Sequence, residues 1–363
     1  MIRVCIVTGA RPNFVKVAPI IRAIKKASKE GKEFSYRLIY TGLKNDPTLE
    51  PSLFSDLQID APDEYLGVDC ENLNELAGMT MFAFEKELEA HPVDVVIVVD
   101  DLTSTMAAAI VTKKKGITLA HLVAGTRSFD INMPKEINRL VINGLSDLLF
   151  TAGISSNRNV SRLDSENLKV YMVGNILMDT LRFNYDRFVK PCVFDELNLS
   201  EGGYLVFTIN RHALLADKAN LKKMLEAAVE ESKGMPIIAP VHDYVYKEVA
   251  ELMPDAHNLY LTKPLSYLKF GYLTSHAKGI ITDSGNVAEE ATFNRIPCVT
   301  LNSYTEHIET VNVGSNVLVG ENAVKLREAV RQMVSGNWKS CAIPERWDGR
   351  TAERITQILV ELA

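Results

Sequence analysis

Three short segments carry side chains suited to an anionic ligand or to proton transfer. The first is Gly9-Ala10-Arg11-Pro12, with Lys16 close behind. Pro12 suits a first helical turn, where the NH it lacks has no partner, and Gly9 permits a tight backbone approach. Arg11 and Lys16 then stand beside a helix N-terminus, whose free NH groups favour an anion such as a pyrophosphate. A plain helix start with two solvated cations is the alternative. The second segment is Asp100-Asp101-Leu102-Thr103-Ser104-Thr105, ahead of a helix expected near Met106. An Asp, Thr or Ser there can simply cap the helix. Adjacent carboxylates also repel, which raises one pKa and makes a group able to transfer a proton. The third is Thr282-Asp283-Ser284-Gly285-Asn286, leading to Glu289 and Glu290. Ser284 and Gly285 offer a hydroxyl and NH groups to phosphate, and Glu290 can accept the two hydroxyls of a ribose. An unremarkable strand-to-helix turn competes with that reading. His121 and His242, taken alone, read as structural, and no spacing predicts a metal site.

Each segment follows a short apolar run that must end where the chemistry begins. Strands are predicted at 3–8, 36–40, 94–99, 118–122, 148–151 and 170–173, then at 204–208, 236–240, 259–261, 279–282, 298–301 and 316–318. Segments of helical period lie between them, among them 15–30 and 73–90. Alternation of this kind predicts an α/β chain with mostly parallel sheets covered on both faces. The stretch 182–203, with Lys190, Pro191, Gly202 and Gly203, lacks strong periodicity and is expected to be the hinge. Two doubly wound, Rossmann-like domains, 1–181 and 182–345, are expected to face each other across a cleft. Open α/β sheets bind ligands at the carboxyl ends of their strands, so a nucleotide-type ligand is the default.

Composition narrows the partners. The 363 residues are 47% hydrophobic and 24% charged, ordinary globular values that fit about two domains. Forty-six acidic against 40 basic side chains leave a net charge of −6, which gives no general attraction for nucleic acid or anionic lipid. No apolar run approaches the roughly 20 residues needed to span a bilayer, and the N-terminus reads as a first strand with no export signal. Five scattered cysteines without a Cys-x-x-Cys pair are expected to be reduced thiols, mostly core filler, in a cytoplasmic protein.

These pieces, in this order, resemble the non-hydrolysing UDP-N-acetylglucosamine 2-epimerase family. The likeness runs through Gly9-Ala10-Arg11-Pro12, Asp101 with Ser104 and Thr105, and His121 with Ala124, Gly125, Arg127 and Ser128. It continues through Met133-Pro134 with Glu136, Asn138 and Arg139, Gly174-Asn175 with Asp179, and Pro240-Val241-His242. Asp283-Ser284-Gly285 with Glu289 and Glu290, Thr305-Glu306 and Asp348-Gly349 complete it. The resemblance implies a glycosyltransferase-B type of fold, with a C-terminal helix, 346–363, that returns to the first domain. It implies that Arg11, Ser284 and Gly285 hold the pyrophosphate of UDP and that Glu290 binds its ribose. Lys16, Arg139, Arg211 and His242 join the expected UDP-sugar site, and Asp101 and Glu136 the expected catalytic groups. The family reaction is an anti elimination of UDP to an unsaturated sugar, followed by addition in which carbon 2 takes its proton on the opposite face, which inverts that carbon without an external cofactor. Family members are generally homodimers.

The chain also departs from the family pattern. Val123 stands where the family has a glutamate after His121, Lys135 replaces the first of two glutamates after Met133-Pro134, and Asn210 replaces a histidine before Arg211. His212, the adjacent imidazole, is expected to replace that histidine in part and so joins Asp101 and Glu136 among the expected catalytic groups. General acid and base groups contribute typically about 10² to 10⁴ in rate, so these losses leave three expectations open. The protein is an active or altered UDP-N-acetylhexosamine epimerase, a UDP-sugar binder or regulatory partner of a true epimerase without turnover, or a hydrolase or glycosyltransferase acting on another UDP sugar.

Overall fold

The computed structural model describes residues 1–161 and 168–361. Two compact units result, one of residues 1–183 with 345–363 and one of residues 184–344. The first holds seven strands: β1 (Ile2–Thr8), β2 (Phe34–Tyr40), β3 (Glu64–Tyr65), β4 (Val95–Val99), β5 (Thr118–Ala124), β6 (Leu148–Thr151) and β7 (Lys169–Met172). Their order in the sheet is β3-β2-β1-β4-β5-β6-β7, and every neighbouring pair is parallel. The second holds β8 (Leu205–Thr208), β9 (Ile237–Pro240), β10 (Leu259–Thr262), β11 (Gly279–Thr282), β12 (Cys298–Thr300) and β13 (Asn316–Leu318). These run in the order β10-β9-β8-β11-β12-β13, again all parallel.

Parallel strands need helical crossovers, and the crossovers cover both faces of each sheet, which is why the strands read as continuous apolar runs. Strand β4 is Val-Val-Ile-Val-Val and buried throughout. In the second unit alternate residues serve different cores: Leu205 and Phe207 join one cluster, Tyr204 and Val206 the other. Strand order reverses between β1 and β4 in the first sheet and between β8 and β11 in the second. Such switch points open a crevice at the strand ends because the flanking crossovers leave on opposite faces. All three sequence segments end strands that border one.

The predicted strands are present with small shifts at their ends, and β3 is an addition. Its two residues are too few for a periodic signal. The expected helix near Met106 begins earlier, at Thr103, with Leu102 as N-cap and no side-chain cap. Cys5 and Cys298 are buried but Cys70, Cys192 and Cys341 are not, so the expectation that most cysteines fill the core is corrected. Periodicity and spacing do not report the exposure of a single thiol.

The chain returns to the first unit after residue 344 and ends in the helix Thr351–Glu361; residues 362–363 lie outside the described residues. Trp347 donates its indole NH to the Ala152 carbonyl at 3.1 Å. Gly174 has φ +104°, and a Cβ there would lie 2.1 Å from the Arg346 carbonyl oxygen, so the chains approach only because no side chain intervenes. Asp179 accepts the NH groups of Thr351 at 3.0 Å and Ala352 at 2.8 Å, closing the helix N-terminus from outside. Burial outweighs those donors and pushes the Asp179 carboxyl from 3.8 up to about 6. Between those values the folded chain binds a proton that the unfolded chain releases, so stability rises as pH falls through this window. Relative to Asp179→Asn, the wild-type protein is expected to gain about 2 kcal/mol between pH 7 and pH 4.5, measured as the change in the difference between their urea melts.

Candidate functional site

At the first switch point the turn from β1 into the helix Arg11–Lys29 is closed by its own side chains. Gly9 and Ala10 donate their NH groups to Asn13 Oδ1 at 2.9 and 3.1 Å, so these two donors are already satisfied. This corrects the expectation of a turn with open NH groups. A Cβ on Gly9 would lie 2.3 Å from Ser104 Oγ, which explains the glycine by close approach to the first turn of the helix Thr103–Lys114. Arg11 spends its guanidinium on Glu50 through Nε, at 2.6 Å, and Nη2. Lys16 is buried and places Nζ 2.6 Å from Asp100 Oδ1, while Asn13 Nδ2 donates to Asp100 Oδ2 at 2.8 Å.

The paired aspartates therefore have separate partners, and neither caps the helix that follows. Asp101 accepts from Arg139, from Nε at 2.8 Å and from Nη2. Asn138 Nδ2 donates to the Asp101 carbonyl at 2.8 Å. Arg139, only 1% exposed, also points Nη1 to Glu136 Oε2 at 3.3 Å, and Glu136 sits one turn earlier on the helix Pro134–Leu145. The i, i+3 spacing puts both on one face. Glu136 further accepts from Arg127 Nε and from the NH and hydroxyl of Ser128, at 2.9 and 3.0 Å. Burial alone would raise this carboxyl, but the Ser128 NH, Arg127 and the Ser128 hydroxyl outweigh it and bring it down to about 2. Lys135 is 59% exposed, with Nζ 3.8 Å from Asp101 Oδ1.

Strand β5 contributes backbone geometry here. Val123 has φ 65° at an irregularity in the register with β6, and Asp100, at the end of β4, has φ 59°. Left-handed backbone at a β-branched residue is a genuine outlier. His121 is buried, with Nε2 2.8 Å from the Asp100 carbonyl and Nδ1 2.8 Å from Asn143 Oδ1. Burial lowers its pKa and keeps the imidazole neutral at physiological pH.

At the second switch point Asp283 ties the ends of β8 and β11 together by accepting the NH groups of Asn210 and Arg211, each at 2.7 Å. Burial raises its pKa despite them. Ser284 is the N-cap of the helix Gly285–Asn294 but makes no side-chain cap bond. Among the described residues, chain neighbours and the helix's own backbone aside, only His307 Cδ2, 3.9 Å away, comes within 4 Å of the position of a Cβ on Gly285, which leaves space beside the backbone there. Glu289 and Glu290 are buried on that helix, and His307 Nδ1 lies 3.1 Å from Glu289. Arg211 donates Nη1 to Asn302. His212 and His242 are both stacked on Tyr244, with ring centroids 5.8 and 6.0 Å away.

The structure thus brings Arg11, Lys16, Asp101, Glu136 and Arg139 to one switch point and Arg211, His212, His242, Ser284, Gly285 and Glu290 to the elements around the other. Sequence reasoning missed Asn13, Glu50, Asn302 and Tyr244, and it gave Asp100 and Arg127 no role of their own. Asp100, as one of a pair of carboxylates at a strand end, and Arg127, within the segment after His121 that carries the family likeness, did carry a signal. Among the described residues no group of three His, Cys, Asp or Glu side chains could hold a metal ion.

Two open parallel sheets with polar switch points define a two-domain, Rossmann-like α/β protein of the glycosyltransferase-B type. Residues 26–360 match the family described as UDP-N-acetylglucosamine 2-epimerase, and the chain belongs to that family. It is 32% identical to the UDP-N-acetylglucosamine 2-epimerase of Methanocaldococcus jannaschii over 98% of both chains. A UDP-N-acetylglucosamine 2-epimerase homolog of Methanococcus maripaludis is 34% identical, over 90% of this chain and 91% of that one. The crystal structure of the M. jannaschii enzyme in complex with UDP-GlcNAc and UDP superposes with a TM-score of 0.84, covering 99% of this chain and 100% of that chain. No helix among the described residues is long and apolar enough to cross a membrane.

The Glu136 carboxylate makes a direct test of the first site. With its pKa lowered from 4.5 to about 2, its contribution is fully present above pH 4.5 and is lost as pH falls through 2. Glu136→Gln is expected to cost about 3 kcal/mol at pH 7. The difference from wild type should shrink steadily below pH 4.5 in denaturant melts.

Proposed function

We propose that this protein binds a UDP-N-acetylhexosamine and inverts its carbon 2 by eliminating and re-adding UDP. Family membership and the UDP-GlcNAc and UDP bound to the M. jannaschii enzyme support the substrate class. The observation that carries the reading is the buried Asp101–Arg139–Glu136 cluster at the β1/β4 switch point. The proton on carbon 2 is weakly acidic, so its removal needs a fixed base, and the departing diphosphate needs cations. The carboxylates gathered at this switch point, with Arg11 and Lys16 on the neighbouring turn, supply both kinds of group, and the Arg139 cluster fixes the strand end that carries them. In the second unit Ser284, Gly285 and Glu290 suit a phosphate and a ribose, and Arg211 and His242 stand on the loops beside them. No step draws on an external cofactor. A homodimer fits the exposed Met79, Phe82, Ile137 and Leu140 on the helices Leu73–Ala90 and Pro134–Leu145.

A second reading, a UDP-sugar binder or regulatory partner without turnover, is favoured by the alkyl side chain of Val123 and the ammonium of Lys135. Incubation with UDP-N-acetylglucosamine in D2O separates the two. The first predicts deuterium at carbon 2 and a second epimer. The second predicts that UDP raises the melting temperature with no deuterium incorporated.

A further inference from the structure

Asp100 and Val123 are neighbours at the ends of adjacent strands. Strand β4 pairs with β5 as far as Val99 opposite Leu122, and the Asp100 NH then donates to the Leu122 carbonyl at 3.3 Å. His121 fixes the Asp100 carbonyl from the same strand β5. Directly beyond this contact both chains turn into left-handed backbone, at Asp100 and at Val123. Such backbone is costly at a residue other than glycine and persists only where the surroundings hold it. Of these two matched positions, the β5 side carries an alkyl group and the β4 side a carboxylate.

The other two carboxylates at this switch point are poor proton acceptors. Asp101 and Glu136 are clamped by guanidinium groups, which cannot give up a proton, and protonating either acid would take a negative charge away from a buried cation. Asp100 is held differently. One oxygen accepts from the neutral Asn13 amide and the other faces the Lys16 ammonium, whose nitrogen can itself release and regain a proton. Its side chain keeps 17% of its surface exposed, whereas Lys16 keeps 7%.

We propose that Asp100 is the proton-accepting carboxylate of this site, on the strand end beside the position that Val123 leaves apolar. The proposal rests on the carbon 2 chemistry above. In the forward step the carboxylate takes the carbon 2 proton and the C–H electron pair becomes the second bond between carbons 1 and 2. The bond from carbon 1 to the diphosphate oxygen breaks, and its pair leaves with UDP. In the return step UDP adds back to carbon 1, an acid on the opposite face protonates carbon 2, and Asp100 passes its proton to solvent.

The test measures deuterium exchange at carbon 2 of UDP-N-acetylglucosamine in D2O for wild type, Asp100→Asn, and Asp100→Asn combined with Val123→Glu. UDP affinity by calorimetry and melting temperature are recorded for each. Asp100→Asn is expected to lose about 10² to 10⁴ in exchange rate while binding UDP as wild type does. Adding Val123→Glu, which returns a carboxylate to the adjacent strand end, should recover at least about tenfold. Asp100→Asn removes the carboxylate that faces a buried ammonium; if it fails to fold, Lys16→Gln with Asp100→Asn is compared instead with Lys16→Gln alone, in exchange rate and in UDP affinity. Exchange within about threefold of wild type overturns the proposal and leaves the carbon 2 reading standing. A loss that Val123→Glu does not repair, or that follows lost UDP affinity, assigns Asp100 to holding Lys16 and also overturns it. Absence of exchange in wild type, with UDP still bound, removes the carbon 2 reading and the proposal together.

Discussion

The buried guanidinium of Arg139 is the interaction on which the first switch point depends. It comes from the helix Pro134–Leu145, is almost fully shielded from water, and is shared by Asp101 from the end of β4 and Glu136 from its own helix. A buried charge left without a partner is costly, and removing one member of such a pair typically destabilises by about 3–5 kcal/mol. The three groups therefore hold one another in place. Arg127 and Ser128, in the segment after β5, are drawn in because they complete the lone pairs of Glu136. One strand end, one helix and one loop are fixed by a single cation.

Much of this was legible in the sequence, for a physical reason. Parallel strands buried on both faces must be apolar along their whole length, so runs such as Val95–Val99 announce themselves, and polar residues at their ends mark where function begins. Arg11, Asp101 and Ser284 were found that way. What stayed hidden was pairing at long separation. Arg11 meets Glu50, 39 residues away, Lys16 meets Asp100, 84 residues away, and Arg211 meets Asn302, 91 residues away. No local period encodes these. The two adjacent aspartates looked equivalent as a dipeptide, yet the turn after β4, with left-handed backbone at Asp100, sends them to different partners.

The same reasoning explains why two buried acids of the first unit, Glu136 and Asp179, respond to pH in opposite directions. Glu136 and Asp179 are both buried. Glu136 meets a guanidinium, a backbone NH and a hydroxyl, which stabilise its charge. Asp179 receives backbone NH groups, but burial prevails and the charged form is disfavoured. The distinction lies in the job each residue does. A carboxylate that organises cations at a strand end has full positive charge to answer it, and one that caps a helix has only the partial charge of two NH groups.

The ion pairs also constrain how an anionic ligand can bind. Net charge opposes its approach, and the local cations that would receive it are already engaged: Arg11 with Glu50, Lys16 with Asp100, Arg139 with Asp101 and Glu136. The Gly9 and Ala10 NH groups are likewise taken by Asn13. A diphosphate reaching this turn must exchange partners with resident carboxylates, so affinity depends on the difference between two sets of charge-assisted hydrogen bonds. Arg11 is the cation best placed to make that exchange. Its pair with Glu50 is more exposed than the Arg139 cluster, and Glu50 returns to water at less cost than Asp101 or Glu136 would. Under the proposed function the buried cluster would stay intact while the outer pair opens, so that the groups recognising the ligand would be separate from those that hold the site's shape.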